Sequence, residues 1–419
     1  MNRYQRLLIR RDFALLWGGA TISALGDGMS FVALVWLLIE RGGTPADVGW
    51  LAAVYTAPVV VGGIAAGVVL DRFDPRRVLA ADNVIRGIAV ASVPIASALG
   101  ALTTTQLFVV AAIYGLLYMT SLAGIPSLIP RVVARDDLTT ANAMESISYG
   151  IAGLIGPTIA GVVIAVISAP AVLALDAVSY GVFVVCLLAM GRQRRGAAFV
   201  QEGGEEEPAT AERGRGLGLG PAVRFILAAP AIVAITVMYM GINIAGGIVT
   251  VVVPIYARDV LHGGSETYGL LLSVLTAGDL AGLLIVGAIG WRWPLGRSIA
   301  WACLTSGLIL LLWLLRPPLL ALAAILAVWG SVSSSLTPWA QTIRMRLIPP
   351  HLRGRVFALL RTMMQSTRPV GAIIGGLLLS NGELSPALVA IALLFLVPGA
   401  IGLWLPALGP VPTAEPAMP

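Results

Sequence analysis

The sequence predicts an all-α membrane protein of about twelve transmembrane helices arranged as two pseudo-symmetric six-helix bundles. Three observations predict it. Hydrophobic residues make up 58% of the 419-residue chain and charged residues only 11%, against roughly 25% charged in a soluble domain; mean hydropathy is +0.91. The apolar residues fall into long runs, each near the ~20 residues that a helix needs to cross a bilayer. The runs divide into two sets of six around one polar stretch.

The runs lie near 13–38, 46–70, 78–99, 104–128, 141–167 and 170–190, then 228–257, 267–290, 295–315, 318–342, 356–379 and 385–405. The first is preceded by a basic segment, but it is too long for a cleavable signal and has no small-residue cleavage site, so it is expected to be retained. The stretch 191–221 carries Glu202, Glu205, Glu206, Glu207, Arg213 and Arg215 among glycines. That composition predicts a cytoplasmic linker. The expected division is a first bundle over 1–190, the linker over 191–221, a second bundle over 222–405 and a cytoplasmic tail over 406–419.

Every basic residue is an arginine, and the arginines alternate from joint to joint. Arg3, Arg6, Arg10 and Arg11 precede helix one. Arg72, Arg76 and Arg77 follow helix two, Arg131 and Arg135 helix four, and Arg192, Arg194 and Arg195 helix six. Arg292 and Arg297 follow helix eight; Arg344, Arg346, Arg353 and Arg355 follow helix ten. The opposite joints hold only Arg41, Arg258 and Arg316. The positive-inside bias then predicts a multi-pass protein of the cell (inner or plasma) membrane with both termini cytoplasmic. The net charge of +6 is a topology signal, and no nucleic-acid partner is expected.

Enzyme chemistry is not expected. Without lysine there is no phosphate-cradling lysine loop and no nucleotide-binding domain. Cys186 and Cys303 sit inside apolar runs and read as small buried hydrophobes, and His262 and His351 fall in opposite joints. No metal and no cofactor are expected.

The halves look like copies. Gly49 and Gly67 pair with Gly269 and Gly287, Gly156 and Gly161 with Gly371 and Gly376, and Pro126 with Pro338, in one order. In the second copy Trp291-Arg292 stands where Asp71-Arg72 stands in the first.

Gly67, Asp71, Arg72, Arg76 and Arg77 form a charged turn between helices two and three, with Asp74-Pro75 at its centre. The turn resembles the signature loop of major facilitator superfamily transporters. Ser23-Ala24-Leu25-Gly26-Asp27, the Leu128–Ala143 segment ending in Ala141-Asn142-Ala143, and Pro349–Val356 resemble one exporter branch, that of the enterobactin exporters and macrolide-efflux proteins among drug:proton antiporters. Gly153, Gly156, Pro157 and Gly161 on helix five are similar to the antiporter motif of export-type members. Small residues there allow close helix approach and proline bends the helix. The resemblance implies alternating access, and implies that Asp71 faces the start of helix eleven, around Arg353–Ala358, when the transporter opens outward.

Ionised residues at mid-bilayer cost at least ~2.5–3.5 kcal/mol on insertion scales and are functional candidates by default. Asp27, Asp279 and Arg368 lie mid-run, and with Glu145 they are the proton-coupling candidates. Asp279 and Arg368 are expected either to form an ion pair or to leave Arg368 for Asp27 or for an anionic substrate group. No mid-helix arginine is expected in the first half. Asp82 and Arg86, four apart on helix three, read as a structural pair near its cytoplasmic end, and Asp176 as a local structural residue near the outer end of helix six. Ser23, Ser30, Tyr118, Tyr239, Asn243 and Ser334 are the substrate-cavity candidates, unless the hydroxyls bond their own backbone. The reading is a proton-antiporting efflux transporter of an amphipathic small molecule, expected to act as a monomer in the lipid bilayer. A proton-independent facilitator or importer, and a membrane sensor, are the alternatives.

Overall fold

The computed structural model describes residues 3–191, 220–289 and 293–409. Most of the linker, residues 192–219, the second-copy loop at Trp291-Arg292, and residues 410–419 of the tail lie outside the described residues.

Helix α1 (Arg3–Ile9) precedes the first crossing, α2 (Arg11–Glu40). Crossing two is made by α3 (Pro45–Thr56) and α4 (Pro58–Arg72), three by α5 (Pro75–Ala98), four by α6 (Thr104–Val132), five by α7 (Leu138–Val166) and six by α8 (Ala169–Ala189). After α9 (Gly220–Ala228), crossing seven is α10 (Pro230–Asp259), eight is α11 (Ser265–Ile289) and nine is α12 (Leu295–Leu311). Crossing ten joins α13 (Leu319–Ser334) to α14 (Leu336–Leu347), eleven joins α15 (Arg353–Gln365) to α16 (Thr367–Leu379), and twelve is α17 (Ser385–Trp404). Among the described residues there are no strands, and eleven of these crossings, all but the broken crossing eleven, are long and apolar enough to cross a membrane as helices.

Crossings two, ten and eleven are interrupted where continuous helices are expected. In crossing two, Pro58 at the first position of α4 removes a backbone donor and ends α3 at Thr56. Pro338 and Pro369 stand just after the interruptions at Ser335 and Ser366 and act in the same way. The joints are capped locally. Thr44 and Asp47 form a capping box at α3, with Thr44 N donating to Asp47 Oδ2 at 2.8 Å. Asp74 caps α5 by accepting from Arg76 N at 3.2 Å, with Pro75 next in line. The turn after α2 passes through Gly42 at φ +82°, a conformation that disfavours a side chain.

Within the first half α2 packs on α7 and α8, α5 on α6 and α8, and α4 on α6; within the second, α12 packs on α17, α10 on α16 and α17, and α11 on α13. The halves meet through α7 against α11 and α3 against α16. Large apolar side chains cover the outside, among them Ile64, Ile88, Val166, Leu320 and Trp404. In water such a surface would drive association; in a bilayer it is the solvent-facing skin. The chain is a multi-pass membrane protein.

Candidate functional site

A buried polar cluster occupies the first half at the depth of Asp27. Its centre is Arg86, only 1% exposed. Arg86 Nη2 donates to Asp82 Oδ2 at 2.7 Å and Nε to the same oxygen at 3.1 Å. Its Nη1 reaches Asp27 Oδ1 and Oδ2 at 3.2 and 3.3 Å. Ser121 Oγ on α6 accepts from Nη2 at 2.5 Å, and the Tyr180 ring lies 4.6 Å from the guanidinium carbon. Tyr180 donates to Asp27 Oδ1 at 2.5 Å. Asp176, fully buried one turn from Tyr180, accepts from Ser30 and, at 3.1 Å, from Ser179. Two carboxylates, from α2 and α5, therefore hold one guanidinium, a third, Asp176 of α8, is held beside them by Ser30 and Ser179, and Asp82 Oδ1 has no hydrogen-bond partner among the described residues.

This corrects four expectations. The first half does hold a mid-depth arginine, because the long stem of Arg86 carries its guanidinium to Asp27. Asp82 and Arg86 are not an isolated pair near a helix end. Asp176 belongs to the central cluster, since α8 packs along α2 at that level. Ser23 and Ser30 are buried and face this packing, not the cavity. Ser23 bonds Asn83 at 3.3 Å and Ser30 bonds Asp176, because the polar stripe of helix one is turned toward helices three and six.

The second half is built differently. Asp279 lies against α13, where a Cβ on Gly330 would sit 3.3 Å from its Oδ1. Arg368 lies just past the interruption of crossing eleven, where Thr367 Oγ1 donates to Met240 O of α10 at 3.1 Å. The two residues are within electrostatic reach of one another, yet the expected ion pair is not formed in this conformation. Tyr239 packs under Arg344, 5.1 Å from ring to guanidinium. Arg344 is accordingly buried and is not an exposed joint residue as its sequence position implies. Asn243 donates to Tyr239 O at 2.8 Å and Ser334 to Ser331 O at 3.3 Å. These polar groups bond their own helices, as membrane hydroxyls and amides commonly do. Glu145 borders a small apolar pocket with Phe13, Trp17 and Tyr149 and makes no ion pair among the described residues.

Between the halves the first-half wall is aromatic. Phe31, Tyr55, Tyr114 and Tyr118 follow one another, the Tyr55 and Tyr114 rings 4.7 Å apart at 22° and the Tyr114 and Tyr118 rings 6.3 Å apart at 20°.

One end of this space is shut by glycine contacts. A Cβ on Gly161 would stand 2.9 Å from Glu266 Cα, and one on Gly269 would stand 3.2 Å from Gly161 Cα. Thr158 and Ser273 hydroxyls bond at 2.7 Å across the same seam, and Ser265 Oγ donates to Gly161 O at 2.9 Å. Gly153 faces Thr276 of the other half, whereas Gly156 packs on Gly28 of helix one. The pseudo-symmetric contact joins Gly49 to Gly376, where a Cβ on either would stand 3.1–3.2 Å from the Cα of the other. Trp36 and Tyr268 stack over the seam at 6.3 Å.

At the opposite, arginine-rich end the halves are apart. Asp71 is exposed and forms no ion pair or hydrogen bond among the described residues, and Arg353 bonds Ile348 O and Met345 O of its own connection. Arg72 and Arg77 are exposed beside it, and Gly67 has open space around it. Arg76 donates to Leu188 O at 2.7 Å and Gly191 O at 3.0 Å, holding the end of α8, and Arg131 pairs with Asp74 at 3.6 Å.

Comparison with known proteins agrees with this arrangement. The family model for the Major Facilitator Superfamily matches residues 16–372 and 244–418. The multidrug efflux pump Tap of Mycobacterium tuberculosis is 26% identical over 404 residues, covering 92% of this chain and 91% of that protein. The pump of the same name from Mycolicibacterium fortuitum is 24% identical over 405 residues, covering 94% and 95%. Among solved structures, a point mutant of the nucleoside transporter NupG superposes with a TM-score of 0.70 at 14% identity, covering 94% of this chain and 98% of that one. A bacterial homologue of the lysosomal transporter Spinster, inward-facing and unoccupied, gives 0.69 at 14% identity, covering 95% and 96%; at these identities the likeness is one of fold.

Proposed function

The chain belongs to the major facilitator superfamily, and from that premise we propose that it is a proton-coupled exporter of an amphipathic small molecule. It works by alternating access in the cell membrane, with both termini cytoplasmic. The rocking bodies are residues 1–190 and 222–405, joined by 191–221. The similarity to Tap multidrug efflux pumps over nearly the whole chain supports export. With the arginine-rich end cytoplasmic, the closed glycine seam is the outer gate and the conformation is open inward.

One observation carries the coupling: two carboxylates, Asp27 and Asp82, share one guanidinium inside the helix bundle, with a third, Asp176, close by. Fully ionised, the cluster would hold more negative than positive charge in a low-dielectric setting, which is costly. A proton on Asp27 relieves that excess and weakens its hold on Arg86 and Tyr180. Asp27 is the member with partial exposure, at 13% of its side chain, so it is the entry point. The next residue, Gly28, touches Gly156 on helix five, and the same helix closes the outer gate through Gly161. A shift of helix one on protonation is thereby passed to the gate. The test is Asp27→Asn in inverted membrane vesicles. It is expected to abolish dye movement driven by an imposed pH gradient while substrate exchange without a gradient persists. Gradient-driven movement at the wild-type rate would move the coupling to Asp279 or Glu145.

A further inference from the structure

The two mid-depth arginines are treated in opposite ways. Arg86 is surrounded by two carboxylates, a serine and a tyrosine. Arg368 has no carboxylate within ion-pair distance and no side-chain hydrogen bond among the described residues. It is nevertheless deep in the protein. Helices α3 and α16 run antiparallel and touch at Gly49 and Gly376, with Gly49 also against Ala372. About two turns further in on each helix, six to eight residues at ~1.5 Å per residue, that register brings Arg368 level with the Tyr55 end of α3. Tyr118 and Tyr55 of the first half and Asp279 of α11 are near enough to interact with it electrostatically. Arg368 is also solvent-accessible, and its nearness to Tyr118 and Tyr55 of the other half sets it toward the space between the halves. A second arginine, Arg361, is exposed, has no ion pair among the described residues and is near enough to Tyr118 to interact with it electrostatically.

We propose that Arg368, facing the tyrosine ladder of Tyr55, Tyr114 and Tyr118, forms a binding site for the ionised acid group of a planar aromatic substrate. The half-buried rings of Tyr55 and Tyr118, held near-parallel by the fully buried Tyr114 stacked against both, offer flat faces for stacking. The guanidinium offers a fork of donors matched to a carboxylate or sulfonate. Arg361 provides an approach of the same sign from the open end. Asp279, close enough to be felt but not bonded, lowers the affinity for an anion while it is ionised. The inference rests on the transport reading only for the direction of movement; the site itself is a matter of binding.

The test uses the purified full-length chain in lipid nanodiscs and three probes of one shape: naphthoate, naphthol and naphthylmethylammonium. Binding is read by tryptophan quenching against empty nanodiscs. Naphthoate is expected to bind about tenfold or more tighter than naphthol. Arg368→Gln should remove that preference and leave naphthol unchanged, and Arg368→Lys should keep part of it. Asp279→Asn should tighten naphthoate about threefold, a gain that a merely structural role would not produce. If Arg368→Gln does not fold, the wild-type probe series and Asp279→Asn decide the matter. Equal binding of naphthoate and naphthol by the wild type, equal weakening of all three probes by Arg368→Gln, or weaker naphthoate binding in Asp279→Asn would each overturn the site. A wild type that binds naphthoate through Arg368 but moves nothing along a gradient would overturn export and leave the site standing. One that exports an uncharged dye without preferring naphthoate would do the reverse.

Discussion

Arg86 bridges Asp27 and Asp82, its Nη1 3.2 Å from Asp27 Oδ1 and its Nη2 2.7 Å from Asp82 Oδ2, with its side chain wholly out of contact with solvent. Removing one partner of a buried ion pair leaves an uncompensated charge and typically costs ~3–5 kcal/mol. Arg86→Gln strands two carboxylates and should fall in or above that range. It should lower the melting temperature in detergent and reduce the monodisperse yield. Asp82→Asn combined with Arg86→Gln should recover part of the loss. A single Arg86→Gln protein that melts with the wild type would mean that the cluster is held together without its guanidinium.

The outer seam makes a geometric prediction. Gly161 meets Gly269 and Gly49 meets Gly376 with backbone on backbone, so a side chain at any of the four has no room. Gly161→Leu and Gly49→Leu should each pry the seam open and shift the population toward the other conformation. Accessibility of single cysteines placed near Trp36 and Tyr268 should rise in both variants. Overpacking a tight contact costs typically 1–3 kcal/mol, enough to change a two-state population by roughly five- to more than a hundredfold. Unchanged accessibility in both would mean that the seam yields locally instead of transmitting the strain.

These seam contacts were half legible in the sequence. The repeat pairs Gly49 with Gly269 and Gly161 with Gly376, and the folded chain joins Gly161 to Gly269 and Gly49 to Gly376, so the two contacts are images of one another under the repeat. Crossing number and fold class follow from run length because a bilayer fixes the length of its spans. The Arg86 cluster was not legible, because run position gives the depth of a Cα and not of a guanidinium on a long stem. Asp176 was missed because nothing in its own helix indicates that helix one lies alongside. The helix interruptions at Ser335 and Ser366 had a signal in Pro338 and Pro369, since each proline removes a hydrogen bond to the turn before it.

Asp71 is exposed and unpaired while the arginine-rich end is open. On the proposed alternating-access reading, its neutralisation should therefore leave this conformation untouched and act only on the opposite one, where the ends of helices two and eleven are expected to come together and a carboxylate would stabilise a helix N-terminus by about 0.3–1 kcal/mol. Asp71→Asn should match the wild type in expression and thermal stability but depress efflux several-fold. Arg76→Gln, by contrast, removes the donors to Leu188 O and Gly191 O and should lower stability. Normal efflux from well-expressed Asp71→Asn would exclude this acid from the gate.

Asp279 and Arg368 supply the last prediction, since they sense each other without touching. A contact pair would give a coupling of several kcal/mol in a double-mutant cycle, whereas charges separated by more than an ion-pair distance should couple by less than ~1 kcal/mol where solvent screens them. Asp279→Asn and Arg368→Gln should each be tolerated for folding far better than Arg86→Gln. Their effects on melting temperature should be nearly additive, and the charge-swapped double variant should gain no rescue. The same cycle run between Arg368 and Asp27 should also be additive, because Asp27 is already held by Arg86 and Tyr180. Strong rescue by the Asp279 swap would show that the pair closes in another conformation, and would make the carboxylate a competitor for the same guanidinium during the transport cycle.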